Sequence, residues 1–461
     1  MHAPIFRILT LSLTAALASA SPGCTELVVA CAADGSCPGG QTCVDGICKA
    51  GLAAPTGGDD ASADSGATAD TGPALCEPEL TVAPTPRGEI CGGMVGGKMW
   101  VMYGDDGVPV NCNPALSPAA DAWVYDPCSG WSKAPGEPGT SLPAPRARSA
   151  SAVDDQNGYL YVYGGRFRDG SSGPYVVRPD LWMFDAAADK WLLLSASGPP
   201  PRSNGILALQ RSTQQLWIHG GNASNSGLSF LPLGDTWRYD MSAGMWSAVT
   251  TQGAQPPKRL FHSGAITSDD KYLVVFGGGG ANAWTGPFYH DTWRLDLATL
   301  TWEEIGKSGD RPEGRIKTGL IALPGTGELL LFGGHDDGAV GNRNDLWRLD
   351  VAAGTWKLVH AGDLGVGGDP TKTFKPANAF CDFPPDFMDV DQESPERREG
   401  FLWNYDLITG RIWMFGGKAD CGPLHDIWSL DPTTLVWKPE YDATEGWSCV
   451  RFQSPCNTLC N

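Results

Sequence analysis

The chain is poor in basic residues and lacks any sustained helical periodicity. Its 461 residues include 33 Lys and Arg against 52 Asp and Glu, a formal net charge of −19. This charge argues against nucleic acid and anionic membrane surfaces as partners. Outside the amino terminus no segment repeats apolar residues at a 3.6-residue period, so helix should be nearly absent. We therefore expect an all-β protein.

Sequence patterns for catalysis and for membrane spans are also missing. There is no Gly-x-Ser-x-Gly, no His-Glu-x-x-His and no phosphate-binding loop. The apolar stretch at residues 8–18 is too short to cross a bilayer, and no other candidate exists. We predict no catalytic residue, no metal site, no cofactor and no transmembrane segment.

A repeated signature dominates the rest of the chain. Asp-x-Trp-x-[Tyr/Phe/Leu]-Asp occurs six times, and a second tryptophan follows each first Asp by ten or eleven residues. Repetition at a period of this size indicates stacked supersecondary units. The first aspartates of the six copies are Asp121, Asp180, Asp235, Asp291, Asp345 and Asp426.

Each repeat carries two further landmarks. A largely apolar run ends in Gly-Gly, except in the first unit, where Gly104–Asp105 replaces it. Such runs are typical of strands that end in a turn with positive φ. Each unit therefore divides into four strands, with the third carrying Asp-x-Trp and the fourth starting at the second tryptophan. An arginine stands seventeen or eighteen residues before the first of these glycines: Arg87, Arg146, Arg202, Arg259, Arg315 and Arg398.

Four short strands with Gly-Gly and paired tryptophans resemble the kelch repeat. The resemblance covers roughly residues 76 to 442 and implies a six-bladed kelch-type β-propeller with four antiparallel strands per blade. Each blade must bury its apolar faces against its neighbours, so twelve of the eighteen tryptophans are expected in the core. We place the propeller at residues 76–441 and a Cys-containing tail at 442–461.

The amino-terminal part divides into three predicted segments. Residues 1–20 are typical of a signal peptide, ending in Ala18-Ser19-Ala20. Residues 21–49 are Cys-rich, and residues 50–75 have the composition of a flexible acidic linker. We expect a secreted, extracellular protein whose fourteen cysteines form disulfides. Zinc is the alternative for the Cys-rich segment, although that segment has no histidine.

Cys24 offers an alternative to simple secretion. It follows Gly23 and could be the acceptor of a lipid anchor, which would make the chain a periplasmic or outer-membrane lipoprotein. The usual leucine three residues earlier is replaced by Ser21. If the four cysteines of the 31–48 cluster pair among themselves, Cys24 makes the remaining cysteines even in number, unless one thiol stays free. Parity thus argues mildly against the lipid anchor.

Strand parity indicates which face of the propeller binds ligands. The connections between strands 2 and 3, and between strand 4 and the next strand 1, emerge on one face, which we call the long-loop face. These connections are long and differ between blades, whereas the 3–4 turns of the opposite face are short. Binding usually resides in long, non-repeating loops on a rigid scaffold.

The candidate binding residues lie in three of these loops, in blades 2, 4 and 5. Aromatic, basic and acidic side chains together suit a protein or glycan ligand. The alternative for the blade 4 loop is that Trp284 and Phe288 only anchor the loop itself. The candidates are Arg166, Arg168, Tyr175, Trp284, Tyr289, His290, His335, Asp337 and Arg343.

The six arginines and six signature aspartates belong to the same face. The kelch resemblance implies that such arginines can hold a ligand carboxylate. Their one-to-one match favours structural ion pairs, since a single ligand rarely needs six equivalent contacts.

The connection between blades 5 and 6 is much longer than the others. It contains Phe374, Phe380, Phe383 and Phe387, which indicates a packed excursion over the channel mouth. We propose a Cys381–Cys421 disulfide here, which peptide mapping under non-reducing conditions would test.

Two enzyme classes provide the alternative to a binding module. A sugar mutarotase would need an acid–base pair such as His335 or Asp337 with Arg343. The adjacent Tyr289 and His290 resemble a pair found in copper-radical oxidases, which have kelch-type blades. Those enzymes have seven blades and a cysteine-crosslinked tyrosine, for which this chain has no obvious counterpart. The leading hypothesis is an exported propeller that binds a glycan or polypeptide.

Overall fold

The computed structural model describes residues 42–44, 47–49, 83–108, 115–136, 138–169, 173–226, 229–283, 285–336, 341–365, 388–389, 391, 393–419 and 422–441. The chain divides into two units, Met1–Cys76 and Glu77–Asn461. In the first unit Thr42–Val44 pairs antiparallel with Ile47–Lys49, which places Cys43 opposite Cys48. The rest of the predicted signal peptide, Cys-rich segment and linker, and the tail at 442–461, lie outside the described residues.

The second unit is a six-bladed β-propeller, as the repeat predicts. Each blade is a four-stranded antiparallel sheet whose strands follow one another in chain order. No helix occurs in the described part of this unit, and none that could cross a membrane occurs in the described residues as a whole. The strands are Cys91–Val95, Lys98–Met102, Ala122–Asp126 and Gly130–Lys133 in blade 1; Ala150–Asp154, Tyr159–Tyr163, Leu181–Asp185 and Lys190–Ser195 in blade 2; Ile206–Gln210, Gln215–Asn222, Pro232–Asp240 and Met245–Val249 in blade 3; Ser263–Ile266, Tyr272–Phe276, Thr292–Asp296 and Thr301–Ile305 in blade 4; Gly319–Ala322, Glu328–Phe332, Leu346–Asp350 and Thr355–His360 in blade 5; and Leu402–Asp406, Arg411–Ala419, Gly422–Leu430 and Trp437–Tyr441 in blade 6.

The ring closes through packing between blades 6 and 1. The first strand of each blade contacts the first strands of both neighbouring blades, including Leu402–Asp406 against Cys91–Val95. All four strands of blade 1 come from the start of the propeller and all four of blade 6 from its end. Closure therefore uses side-chain packing instead of a sheet shared by the two ends of the chain.

Short strand pairs lie on the long-loop face and at one outer edge of the propeller. Arg87–Gly88 joins Asp105–Val108 and Ala115–Pro118 in a three-stranded sheet. The remaining pairs are Arg166–Phe167 with Val176–Val177, Arg315–Ile316 with His335–Asp336, Leu364–Gly365 with Met388–Asp389, and Gln252–Gly253 parallel to the outermost strand of blade 4.

The Gly-Gly pairs have the positive φ that the sequence predicts, for example 66° at Gly164 and 91° at Gly165. In blades 2, 4 and 5 the second strand ends just before them. In blades 3 and 6 the prediction that the strand ends there was wrong. Those strands continue past the glycines, with a shift in register at that point, because the following 2–3 connection is a continuous hairpin.

Apolar clusters fill the six interfaces between blades. The cluster between blades 3 and 4, for instance, contains Trp217, Trp293 and Trp302. The signature tryptophans are buried or half-buried throughout, and each first tryptophan donates its indole N–H to the Asp two residues earlier. A Trp buries roughly 150–250 Å², so these residues supply much of the packing that holds the ring together.

The six arginines form buried ion pairs with the six signature aspartates. Arg315, for example, donates from Nη1 and Nη2 to the two carboxylate oxygens of Asp345 at 2.5 and 3.0 Å, and from Nη1 to the Gly333 carbonyl at 3.2 Å. All six arginine side chains are at most 1% exposed. Five carboxylates are bound by two guanidinium nitrogens and that of Asp121 by one. These contacts are those of a structural pair that ties the segment entering strand 1 to the beginning of strand 3 or to strand 3 itself in every blade.

Candidate functional site

Six backbone hydrogen bonds form a closed ring at the mouth of the channel on the long-loop face. The residue two positions after each structural arginine donates its N–H to the carbonyl of the equivalent residue in the preceding blade, at 2.8 to 3.1 Å. All six residues have φ between 55° and 61°. We call this set the inner ring: Glu89, Arg148, Asn204, Phe261, Lys317 and Gly400.

The inner ring has a uniform backbone and a different side chain in every blade. The residue that follows each Gly-Gly also differs in every blade, and it bridges back to the strand entering the ring. In blade 1 the pair equivalent to Gly-Gly is Tyr103–Gly104, with φ of 56° and 98°, and not Gly104–Asp105 as expected, so Asp105 is the residue that follows. Arg, Asp and Trp are the same in all six blades at their own positions of the repeat. At the positions of these two sets the backbone geometry is the same in all six blades, but the side chains differ. The second set is Asp105, Arg166, Asn222, Gly279, His335 and Lys418.

Charged side chains from blades 1, 2, 5 and 6 form a buried network at the mouth. Lys317 Nζ lies 2.6 Å from Glu89 Oε1 and 2.8 Å from Glu399 Oε1. Arg148 lies 3.7 Å from Glu89 and 3.6 Å from Asp105. Burial alone would raise the pKa of Glu89, but Lys317, Arg148 and a nearby Lys418 hold that pKa well below its usual range. Glu89 is therefore ionised at neutral pH.

The blade 2 hairpin places two arginines around one aromatic ring. The guanidinium carbons of Arg166 and Arg168 lie 3.9 and 4.5 Å from the Tyr175 ring centroid. Arg166 is 3% exposed. Burial and the charge of Arg148 lower its pKa to about 10. The structure thus brings together three of the residues that the sequence analysis selected.

The blade 3 and blade 4 side of the mouth is apolar. Phe261 of the inner ring packs with neighbours from the loops of both blades in a buried cluster. Tyr289 lies over the structural Arg259, with 4.9 Å between guanidinium carbon and ring centroid. His290 is exposed beside it, and Trp284 lies outside the described residues. The members of the cluster are Phe230, Leu260, Phe261, Ala283, Phe288 and Ile316; the burial of Phe288 agrees with its anchoring role.

In the blade 5 loop the predicted binding residues already have partners within the loop. Arg343 donates from Nε to Asp336 Oδ2 at 2.5 Å. His335 Nδ1 lies 3.0 Å from Asn342 Oδ1. Asp337 lies outside the described residues. Arg343 is therefore engaged by Asp336, which weakens its candidacy as one half of an acid–base pair.

A buried cluster of polar residues, which we call the node, joins the two ends of the long excursion between blades 5 and 6. Asn344 donates to Asp363 Oδ1 at 3.1 Å and to the Pro395 carbonyl at 3.1 Å. Asp363 also accepts from the Asp391 N–H and lies 3.1 Å from Arg397. The node ties both ends of the excursion together on the long-loop face. The phenylalanines of the excursion, Cys381 and Cys421 lie outside the described residues.

Two of the histidines are buried between blades 3 and 4. The ring centroids of His219 and His262 are 5.7 Å apart, and burial lowers the pKa of both, to about 3 for His219. His262 also borders a cavity of about 180 Å³ just inside the inner ring, together with Ser151, Ser263 and Asn404. Among the described residues, no three His, Cys, Asp or Glu side chains are placed to hold a metal ion.

No motif of the sequence indicated the inner ring or its ionic network. Glu89, Arg148, Lys317 and Lys418 sit at fixed offsets from the repeating arginine and Gly-Gly. When the six repeats are aligned, these residues occupy variable positions next to invariant ones, and that pattern is the sequence signal for them.

Comparison with known proteins identifies the repeat. A family model for the KLHDC2/KLHL20/DRC7 Kelch-repeats domain matches residues 94–326. Kelch domain-containing protein 10 of Xenopus tropicalis is 29% identical over 309 residues, 64% of this chain and 65% of its own length.

Two relatives from plants carry other names. N-(sulfonatooxy)prop-2-enimidothioate sulfolyase of Thlaspi arvense is 31% identical over 205 residues, which are 42% of this chain and 53% of the relative. Acyl-CoA-binding domain-containing protein 5 of Arabidopsis thaliana is 29% identical over 223 residues, 48% of this chain and 31% of the relative. The chain spans less than two thirds of the length of each of these three relatives. The family model covers half of the chain, over repeats whose geometry is described above, and the chain belongs to the kelch-repeat family of β-propellers, which typically serve as protein-interaction modules.

Proposed function

We propose that this chain is an exported binding module that docks a polypeptide on its long-loop face. The observation that carries the proposal is the inner ring, where six equivalent backbone positions present six different side chains. Positions with a structural role carry the same residue in every blade. Different side chains at positions with the same backbone geometry are therefore expected where a surface binds a specific ligand. The mouth offers an ionic side in blades 1, 2, 5 and 6 and an apolar side in blades 3 and 4.

Exposed apolar side chains beside the mouth support a polypeptide partner. Val176 of the blade 2 hairpin and Leu231 of the blade 3 loop are each 59% exposed. The two loops are joined by a hydrogen bond from the Tyr175 N–H to the Asn225 carbonyl at 2.8 Å. Apolar side chains next to fixed charges are typical of protein interfaces, where an apolar centre is bordered by polar groups.

A pair of surface variants tests the docking face. Wild type, Leu231→Asp and the matched control Ile408→Asp would be screened on one peptide array and one glycan array. Ile408 is 72% exposed in the 1–2 turn of blade 6, on the opposite face. We expect peptide binding that Leu231→Asp weakens at least tenfold and Ile408→Asp leaves unchanged.

Two outcomes would contradict the proposal, and one measurement serves as a folding control. Loss of binding in Ile408→Asp but not in Leu231→Asp would place the interface on the other face. Binding to glycans alone would assign the module to carbohydrate, the alternative ligand. Equal melting temperatures of the two variants would show that neither result reflects misfolding.

An enzyme is the second candidate, with carbohydrate as the substrate class expected from the sequence, and one observation favours enzymatic activity in general. The Thlaspi arvense relative is an enzyme by name. Metal analysis of the purified protein, with assays for reducing-sugar oxidation and anomer exchange, would decide the question. Stoichiometric copper or turnover would replace the binding proposal with this one.

Export is also a proposal: we expect a secreted protein, with a lipid anchor at Cys24 as the alternative form. Cys91 is a fully buried thiol that contacts the Met102 carbonyl in the interface of blades 1 and 2. Mass spectrometry of the mature amino terminus distinguishes the two forms: a diacylglyceryl cysteine at Cys24 would show the anchor, and an unmodified Cys24 would refute it.

A further inference from the structure

Three buried side chains from the two ends of the propeller meet where the ring closes. Lys418 lies on the second strand of blade 6, and Asp105 starts the strand Asp105–Val108 on the long-loop side of blade 1. Lys418 Nζ lies 3.7 Å from Asp105 Oδ2 and 3.6 Å from Glu89 Oε1. At most 12% of each of the three side chains is exposed. An amine and two carboxyl groups therefore share one site that holds little water.

Lys418 differs from the other lysine of the ionic network. Lys317 Nζ lies 2.6 Å from Glu89 and 2.8 Å from Glu399. Burial alone would lower the pKa of Lys317, but these two carboxylates raise it. Among the described residues no carboxylate oxygen comes so close to Lys418, and burial lowers the pKa of Lys418 although nearby carboxylates oppose this shift. A buried lysine with a lowered pKa can act as a nucleophile.

The charges of Lys418 and Asp105 stabilise each other poorly at this separation. Hydrogen bonds between an ammonium and a carboxylate have N···O distances of about 2.7–2.9 Å, shorter than the 3.7 Å found here. Buried charges are costly unless they are paired and hydrogen-bonded. Conversion of the ammonium and the carboxylate into one neutral amide would remove both charges and their cost.

The backbone holds the amine beside the carboxyl group. The Lys418 N–H donates to the Glu399 carbonyl at 2.8 Å, and the Glu399 N–H donates to the Lys418 carbonyl at 2.9 Å. The stem of Lys418 lies against Gly88, where even a Cβ would come within 2.7 Å of Lys418 Cγ. Gly88 is itself paired with Asp105. Reacting groups that are held in a fixed arrangement need far less activation.

We propose that Lys418 and Asp105 form an intramolecular amide bond, with Glu89 as the general base, which closes the ring covalently between blades 6 and 1. A proton passes from the Lys418 ammonium to the Asp105 carboxylate, and the neutral amine attacks Cγ of Asp105. Glu89 accepts a proton from the nitrogen and returns it to the departing hydroxyl. The N–Cγ bond forms, one C–O bond breaks and one water molecule leaves, so the step needs no oxidant or other co-reactant.

The bond would complete a closure that otherwise depends on side-chain packing. Asp105 follows the second strand of blade 1, so the chain between it and Lys418 contains blades 2 to 5 and parts of blades 1 and 6. A cross-link that closes a long loop restricts the unfolded chain and stabilises the fold. This modification is independent of any polypeptide that docks on the long-loop face.

Peptide mapping of the full-length protein, denatured and reduced before digestion with trypsin, tests the proposal. Wild type should give a branched peptide that joins the segments containing Asp105 and Lys418, with the mass of both less one water molecule. Lys418→Arg, which keeps the charge, and Glu89→Gln should give only linear peptides. The matched control is Lys438→Arg, because Lys438 also pairs with a carboxylate in blade 6, that of Glu440 at 2.7 Å, but is 63% exposed. It should retain the branched peptide.

Linear peptides alone in the wild-type protein would overturn the proposal, and this result requires no variant to fold. A branch that joins Lys418 to Glu89, or Lys317 to any carboxylate, would overturn the assignment of the bond. A branched peptide in Glu89→Gln would overturn the role of Glu89 as the base. With the bond absent, Lys418→Arg should also melt at a lower temperature than wild type under reducing conditions, whereas equal melting temperatures would contradict a covalent closure of the ring.

Discussion

The ion pair whose carboxylate is the most buried of the six provides the sharpest stability prediction. The substitution Asp345→Ala removes a carboxylate that accepts three hydrogen bonds. The donors are Arg315 Nη1, Arg315 Nη2 and Trp347 Nε1, at 2.5, 3.0 and 2.7 Å. The Arg315 side chain is 1% exposed and the Asp345 side chain 9%. Water therefore has little access to the guanidinium that is left behind.

The expected loss follows from that burial. Removing one partner of a buried ion pair costs about 3–5 kcal/mol, because the other charge stays buried and unpaired. Asp121→Ala is the matched comparison, since Asp121 is the same residue of blade 1 but is 40% exposed and accepts from Arg87 and Trp123 once each. Arg87 itself is buried, but water can enter where the exposed Asp121 carboxylate stood and hydrate the guanidinium, so about 1–2 kcal/mol is expected.

Thermal unfolding followed by tryptophan fluorescence would measure the difference. At roughly 2 °C per kcal/mol for a domain of this size, Asp345→Ala should melt several degrees below Asp121→Ala. Equal losses of stability in the two variants, or a larger loss in Asp121→Ala, would show that burial of the carboxylate does not set the cost.

Three further predictions concern buried groups elsewhere. Burial holds the pKa of His219 near 3 and that of His262 well below its usual value. Both histidines therefore take up a proton on unfolding below about pH 6.5. As the pH falls further, the free energy of unfolding should decrease by about 1.4 kcal/mol per pH unit for each histidine. His262→Phe should flatten that dependence in melting curves between about pH 6.5 and 5; an unchanged slope would show that His262 is not buried in neutral form. Gly400→Ala should cost about 1 kcal/mol, because φ is 61° there and the new Cβ would lie 3.3 Å from the Glu89 nitrogen; a stabilised variant would contradict the ring geometry. Burial raises the pKa of the Cys91 thiol, so iodoacetamide should modify Cys91 only after unfolding, and mass spectrometry that finds it modified in the folded protein, or in a disulfide, would refute the assignment.

The sequence predicted the fold because the fold is set by residues that repeat. Asp-x-Trp, Gly-Gly and the preceding arginine each have one structural task, which blades 2 to 6 perform with the same hydrogen bonds and blade 1 with one Arg–Asp contact fewer and no Gly-Gly. The boundaries of the second strand in blades 3 and 6 were missed, because strand length there depends on the loop that follows and not on the glycines.

The candidate site was predicted only in part. Arg166, Arg168 and Tyr175 do come together, because they lie in one short hairpin and local pairing decides their contacts. The network of Lys317, Glu399 and the blade 1 carboxylates joins residues from blades distant in sequence. These contacts form only when the ring closes, and no local sequence pattern predicts which residues then meet.

The central claim is that the long-loop face binds the partner, and hydrogen–deuterium exchange tests it most directly. Exchange would be compared for the protein alone and with a saturating concentration of a peptide selected on the array. The account predicts protection in residues 166–178 and 223–233, with no change in the 1–2 and 3–4 turns. Protection confined to those turns, or to the outer strands, would contradict it.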